Sequence, residues 1–146
     1  MSLWLLTIAV ILIDQISKFF VVKYLYQGQI DIIPNIFSLT YVENYGTAWG
    51  LFASFNAVIR VILPIVIIGL LMYFSYTSKK KSDIVFSTFI LGGAIGNYMD
   101  RILRGYVVDF LDFKVCPVFN FADVMIVIGC ILMCIGLFRK EEEDGD

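Results

Sequence analysis

Phe119-Asn120-Phe121-Ala122-Asp123 opens a run, Val124 to Phe138, of fifteen residues without a charge. About 20 helical residues cross a hydrocarbon core of about 30 Å, so Val118 to Phe138 reads as a bilayer span. Three further stretches qualify once one polar interruption in each is allowed: Ser2 to Val22, Ala57 to Tyr76 and Ile84 to Leu103. The whole chain agrees, since 60% of its 146 residues are apolar, 16% are charged and the mean hydropathy is +0.85. Globular chains carry about 25% charged residues, and a chain this short cannot hide so much apolar surface in one core. The expected fold class is a mainly α membrane protein with four transmembrane helices. Residues 1–140 form a single domain and residues 141–146 a short, disordered acidic tail. Met1 to Ile13 lacks a basic start and a small-residue cleavage site and runs into Asp14, Gln15 and Lys18, so it is read as a retained span.

Four spans put both termini on one side, together with Lys79, Lys80, Lys81 and the Arg139-Lys140 exit. That lysine cluster favours a cytoplasmic assignment for this side. The other side receives two connections, Lys23 to Asn56 and Arg104 to Pro117. In the first, Phe37, Leu39 and Tyr41 alternate with Ser38, Thr40 and Val42, a period of two that predicts a strand. A small extracytoplasmic β-containing platform is therefore expected on the outer surface.

The chain has no histidine, which removes the zinc proteases and the histidine-dependent serine and cysteine hydrolases. A net charge of -2 carries no basic excess, so no nucleic-acid partner is expected. Cys130 and Cys134 sit inside an apolar run and read as buried structural thiols, whereas Cys116 falls in a connection.

Charges inside a span are costly, about 2.5 to 3.5 kcal/mol each on insertion scales, and here they are concentrated. Asp14 and Lys18 are four apart on one helix face and can pair, which by itself is the ordinary way a bilayer tolerates charge. In the third span Gly92 and Gly96 form a GxxxG pair that admits a neighbouring helix. Gly93, Asn97, Asp100 and Arg101 follow at helical spacing, giving either an active polar face or a structural seam. Arg101 is expected to orient this network and neutralise carboxylate charge. Asn120 can cap the last span with Asp123 in its first turn, where the helix dipole also favours a carboxylate. The connection Gly105-Tyr106-Val107-Val108-Asp109-Phe110-Leu111-Asp112-Phe113 adds two acids in an apolar setting. It shares a membrane surface with the start of the fourth span, so Asp109 and Asp123 can meet. Two carboxylates at one site ionise unequally, one keeping a proton while the other acts as a base. Spacing alone does not choose Asp109 over Asp112. It also leaves open a proton-coupled transporter relaying through Asp14, Asp100 and Asp123, and an assembly factor that uses the polar seams for packing. A Ser-Lys dyad is disfavoured, because Ser17 and Lys18 are adjacent and point to different helix faces.

Asp14-Gln15 with Lys18, Asn44-Tyr45-Gly46-Thr47-Ala48-Trp49-Gly50, Gly92 to Arg101 with Gly105 to Phe110, and Phe119 to Asp123 resemble, in order and spacing, the motif blocks of lipoprotein signal peptidase, also called signal peptidase II. The resemblance covers most of the chain and implies a bacterial inner-membrane aspartic endopeptidase. Its partners would be membrane lipids and diacylglyceryl-modified prolipoproteins, cut just before the lipidated cysteine. It implies Asp109 and Asp123 as the catalytic pair, with Asn44, Asn97, Asp100, Arg101 and Asn120 around them and Asp14 and Lys18 in support. No cofactor and no metal are implied, and a monomer is expected. The loop departs from the family pattern at Thr47 and Trp49, where smaller or different side chains are usual, which bears on substrate and inhibitor fit.

Overall fold

The computed structural model describes residues 3–46 and 61–144. Thr47, Trp49, Arg60 and the expected start of the second span at Ala57 lie outside the described residues, as do Met1 and Ser2 and the last two residues of the tail. Four helices and a three-stranded sheet follow in the order α1 (Leu3–Leu25), β1 (Gln29–Ile33), β2 (Phe37–Asn44), α2 (Leu63–Thr77), α3 (Lys81–Leu103), β3 (Val107–Asp112) and α4 (Phe121–Asp144). The helix therefore continues through Asp144 into the stretch expected to be a disordered tail, in keeping with the good helix propensity of Glu and Lys.

The helices are apolar outside and polar inside, the reverse of a water-soluble bundle. Trp4, Ile8, Leu12, Ile16, Phe19 and Phe20 of α1 are exposed, and α2 buries no residue in full. So large an apolar surface is stable only against lipid or a partner. Trp4–Leu25 is long and apolar enough to cross a membrane, and Leu63–Thr77 and Phe121–Gly136 are shorter apolar helices. Cys130 and Cys134 belong to this outer surface and are exposed, a correction to their expected burial. The inward face of α4 runs through Ala122, Ile126 and Gly129, and the cysteines fall outside that stripe.

Glycines set the helix spacing as expected. A Cβ on Gly92 would meet the Val10 side chain at 2.7 Å and one on Gly96 the Asp14 carboxylate at 2.6 Å, so α1 lies directly on α3. On the other flank, a Cβ on Gly93 would stand 2.4 Å from the Ala122 carbonyl oxygen, which brings α4 equally close.

The platform strands run antiparallel in the order β1-β2-β3. The alternation around Phe37 to Val42 did mark a strand, β2. β1 and β3 went unread, the first being a short strand exposed along its whole length that ends before Pro34, the second nearly continuously buried. Val21 and Leu25 from the end of α1 pack with Tyr41, Val108 and Phe110, which anchors the sheet on the bundle. Arg104 and Gly105 close α3 with N–H bonds to the carbonyls of Asp100 and Arg101, and Gly105 takes a φ of 81°, the left-handed conformation that turns the chain into β3. The 23 residues of α3 span about 34 Å, with the lysine-bearing turn at one end and the platform at the other.

Candidate active site

Toward the platform end, β3, the first turn of α4, the last turns of α3 and the stretch of α1 from its middle onward bring nearly all of the expected polar residues together. Asp109 comes from β3, outside the spanning helices, and is 2% exposed. In the ladder Val42 lies opposite Asp109 and Asn44 opposite Val107, so Asn44 is its diagonal neighbour on the same face of the sheet. Asn44 Nδ2 donates to Asp109 Oδ2 at 2.8 Å, and Asn120 Nδ2 donates to Asp109 Oδ1 at 2.6 Å. The carbonyl oxygen of the Asn44 side chain accepts the Gly46 N–H at 2.8 Å, which fixes the direction of its amide.

Asp123 is reached from the helix side. Its backbone N–H donates to Asn120 Oδ1 at 3.0 Å, while its Oδ2 accepts the Asn120 N–H at 3.2 Å, a reciprocal cap on α4. Its other oxygen accepts Asn97 Nδ2 at 2.7 Å. Asn97 Oδ1 in turn accepts Asn120 Nδ2 at 3.1 Å and Lys18 Nζ at 2.8 Å. Asn120 therefore caps the helix and bridges both carboxylates.

Burial pushes the Asp109 carboxyl up to about 6, against the hydrogen bonds from Asn44 and Asn120 that lower it; the charge of Asp123 adds to the rise and that of Lys18 opposes it. The two acids thus feel each other electrostatically, and a proton is retained on Asp109 to a higher pH than on an ordinary aspartate.

Asp112 is elsewhere. Lys114 Nζ reaches its Oδ2 at 2.5 Å and Thr40 donates to it at 3.3 Å, and the hydrogen bond from Lys114 holds the carboxyl below the usual carboxylate range. The structure thereby separates the two acids of the connection that spacing left equivalent.

Asp14 and Lys18 do pair, at 2.9 Å, and Asp100 stands at the same distance from Lys18. Arg101 donates to the Asn97 backbone oxygen at 3.2 Å. Lys18 and Arg104 are in direct contact with Asp100. Two participants were missed as site residues. Gln15 donates to Asp14, to the Gly96 carbonyl and to Asp100 at 3.1, 3.1 and 3.3 Å. Arg104, the first residue of the second connection, joins through its spacing of four from Asp100, the signal that marks it in the sequence. Ser17 donates to the Asp14 carbonyl at 2.7 Å, consistent with a helix-surface hydroxyl and not a nucleophile beside Lys18.

Residues 6–139 match the family model described as signal peptidase (SPase) II. This chain belongs to that family. The lipoprotein signal peptidase of Halothermothrix orenii is 38% identical over 141 residues, covering 95% of this chain and 97% of that protein. The one from Fusobacterium nucleatum is 42% identical over 135 residues, with 89% and 82% covered. A bacterial membrane enzyme solved by the in meso method at 2.3 Å resolution superposes with a TM-score of 0.86 at 30% identity, covering 97% of this chain and 90% of the other. A second, solved at 1.9 Å, gives 0.85 at 32% identity, with 92% and 91% covered. The fold is thus that of a bacterial membrane peptidase, four helices with a small β platform, and the family activity is that of an aspartic endopeptidase of lipoprotein signal peptides.

Proposed function

We propose that Asp109 and Asp123 are the catalytic pair of this signal peptidase II, acting on diacylglyceryl-modified precursors and cutting the peptide bond before the lipidated cysteine. The observation that carries the assignment is Asn120, which donates to Asp109 while it caps the turn that holds Asp123. A helix cap has no need of a buried carboxylate from a distant strand.

With one proton on the pair, the ionised carboxylate removes a proton from water as the water oxygen bonds to the scissile carbonyl carbon, whose electron pair moves onto its oxygen. When the tetrahedral species collapses, the C–N bond breaks and the protonated carboxyl supplies its proton to the leaving nitrogen. The products are a signal peptide ending in a new carboxyl group, which gives its proton to water, and a cysteine with a free amine. The pair again holds one proton. Asn44, Asn97 and Asn120 hold the two carboxylates in different hydrogen-bonding environments, which keeps their roles distinct. Arg101 and Asp100 support the α3 end of the network, and no cofactor or metal enters the scheme.

The apolar flanks let the substrate acyl chains stay in lipid while the scissile bond meets the carboxylates at the platform. With Lys79, Lys80 and Lys81 at the far end of α3, the positive-inside rule gives cytoplasmic termini and an extracytoplasmic site. Purified protein given a synthetic diacylglyceryl-modified precursor should release the signal peptide, and Asp109→Asn and Asp123→Asn should not. Cleavage by either variant at the wild-type rate defeats the assignment.

A further inference from the structure

Three ionisable side chains, Asp14, Lys18 and Asp100, are completely buried beside the proposed pair, yet none of them is part of the proton transfers. Such burial is expensive, and removing one partner leaves an uncompensated charge. Lys18 Nζ stands 2.9 Å from an oxygen of each acid. Asp14 Oδ1 accepts the backbone N–H of Ala122 at 3.0 Å, and Asp100 Oδ2 accepts the backbone N–H of Val108 at 3.2 Å. Ala122 immediately precedes Asp123, and Val108 immediately precedes Asp109. The Ala122 N–H is also a first-turn donor that no carbonyl of its own helix can reach. The third contact of the ammonium, 2.8 Å to Asn97 Oδ1, turns the Asn97 amide so that Nδ2 faces Asp123.

We propose that Lys18 is a positioning residue for the peptidase reaction: through Asp14 and Asp100 it fixes the backbone just before each catalytic aspartate, and through Asn97 it aims the amide that holds Asp123. The proposal rests on the assignment of Asp109 and Asp123 as the pair. An ion pair serving only to join α1 to α3 would have no reason to spend both carboxylates on the two amides next to the catalytic positions. Without the ammonium, Asp14 and Asp100 face each other as like charges and both anchors are released.

Lys18→Met alone strands two carboxylates and can fail to fold. The decisive variant is therefore Asp14→Leu combined with Lys18→Met in the full chain in detergent. It is neutral in net charge, leaves Asp100 with Arg104, and replaces a buried ion pair by apolar groups of similar size, an exchange that often preserves stability. Its melting temperature is expected near that of the wild type. With a diacylglyceryl-modified precursor peptide, kcat should fall on the order of 100-fold, the loss expected for about 1 Å of misplacement, while KM changes by less than about threefold. Amide exchange at Ala122 should rise. A wild-type kcat in the folded double variant, or a lowered kcat with Ala122 exchange unchanged, overturns the proposal. Asp109→Asn and Asp123→Asn are assayed alongside. If they cleave, the pair assignment fails and the positioning role fails with it; if they are inactive while the double variant works normally, only the positioning role fails.

Discussion

Asn120 Nδ2 donates to Asp109 Oδ1 across 2.6 Å, tying the first turn of α4 to strand β3. Asn120 is fully buried, and its side-chain oxygen is already committed to the N–H of Asp123. Asn120→Ser keeps a capping oxygen but cannot reach Asp109, so it separates the two duties. Stability should fall by about 1 to 3 kcal/mol: serine caps about as well as asparagine, but the buried Asp109 oxygen loses its partner. Turnover should fall by at least about tenfold, as expected when a buried hydrogen bond to a charged group is lost. Thermal unfolding and a cleavage assay on the same preparation test both parts; equal losses in each would reduce Asn120 to a cap.

The acids of the β3 segment provide a direct comparison. Asp109 is buried between two asparagine amides, whereas Asp112 is paired with Lys114. Asp109→Asn and Asp123→Asn should abolish cleavage with expression and membrane insertion near normal. Asp112→Asn should retain most of the activity, because Asp112 is held by Lys114 and Thr40 and not by the asparagine amides of the pair. Inactivity of well-folded Asp112→Asn would move the catalytic assignment along the strand.

The pH dependence follows from the raised Asp109 value. Its proton is held until about pH 6, so the singly protonated pair is lost as pH rises through that value. The alkaline limb of kcat/KM, which reports the free enzyme, is expected near pH 6. In kcat the limb should move upward, since bound substrate excludes further water and disfavours the second charge. The acid limb marks uptake of the second proton, and both limbs belong to the coupled pair. Folding responds with a fixed sign as well: the unfolded chain gives up this proton near 3.8, so the contribution of Asp109 to stability declines as pH rises from there to about 6. A kcat/KM that stays flat from pH 4 to 9 would contradict the scheme.

Helix spacing makes two glycines behave in opposite ways. A Cβ on Gly93 would lie 2.4 Å from the Ala122 carbonyl oxygen, a backbone atom that can retreat only if α4 moves. Gly93→Ala should therefore cost about 1 to 3 kcal/mol and, because Ala122 precedes Asp123, reduce activity beyond the loss of folded protein. Gly69, within α2, has open space at the same position, so Gly69→Ala should be neutral or stabilising by up to about 1 kcal/mol. Denaturation of the two variants in one detergent checks the contrast.

The sequence by itself determined that the chain belongs in a bilayer, that it crosses as helices and that Phe37 to Val42 forms a strand, because apolar excess and periodicity are local properties of the chain. It also determined the Asp14–Lys18 pairing and the capping of α4 by Asn120, since residues three or four apart on a helix must lie together. Only the tertiary structure decided the rest. Asp109 and Asp112 are equivalent in spacing, and their surroundings diverge because the sheet register puts Asn44 beside the first while Lys114 and Thr40 take the second. The cysteines were placed in the core on apolar context alone, whereas in a bilayer the apolar face of a helix turns outward and these thiols turn with it. Lys18 looked like the partner of one neighbouring acid. Its contacts with Asp100 and Asn97, each about eighty residues away, arise only where α3 closes on α1 over Gly92 and Gly96, a convergence that no local pattern encodes.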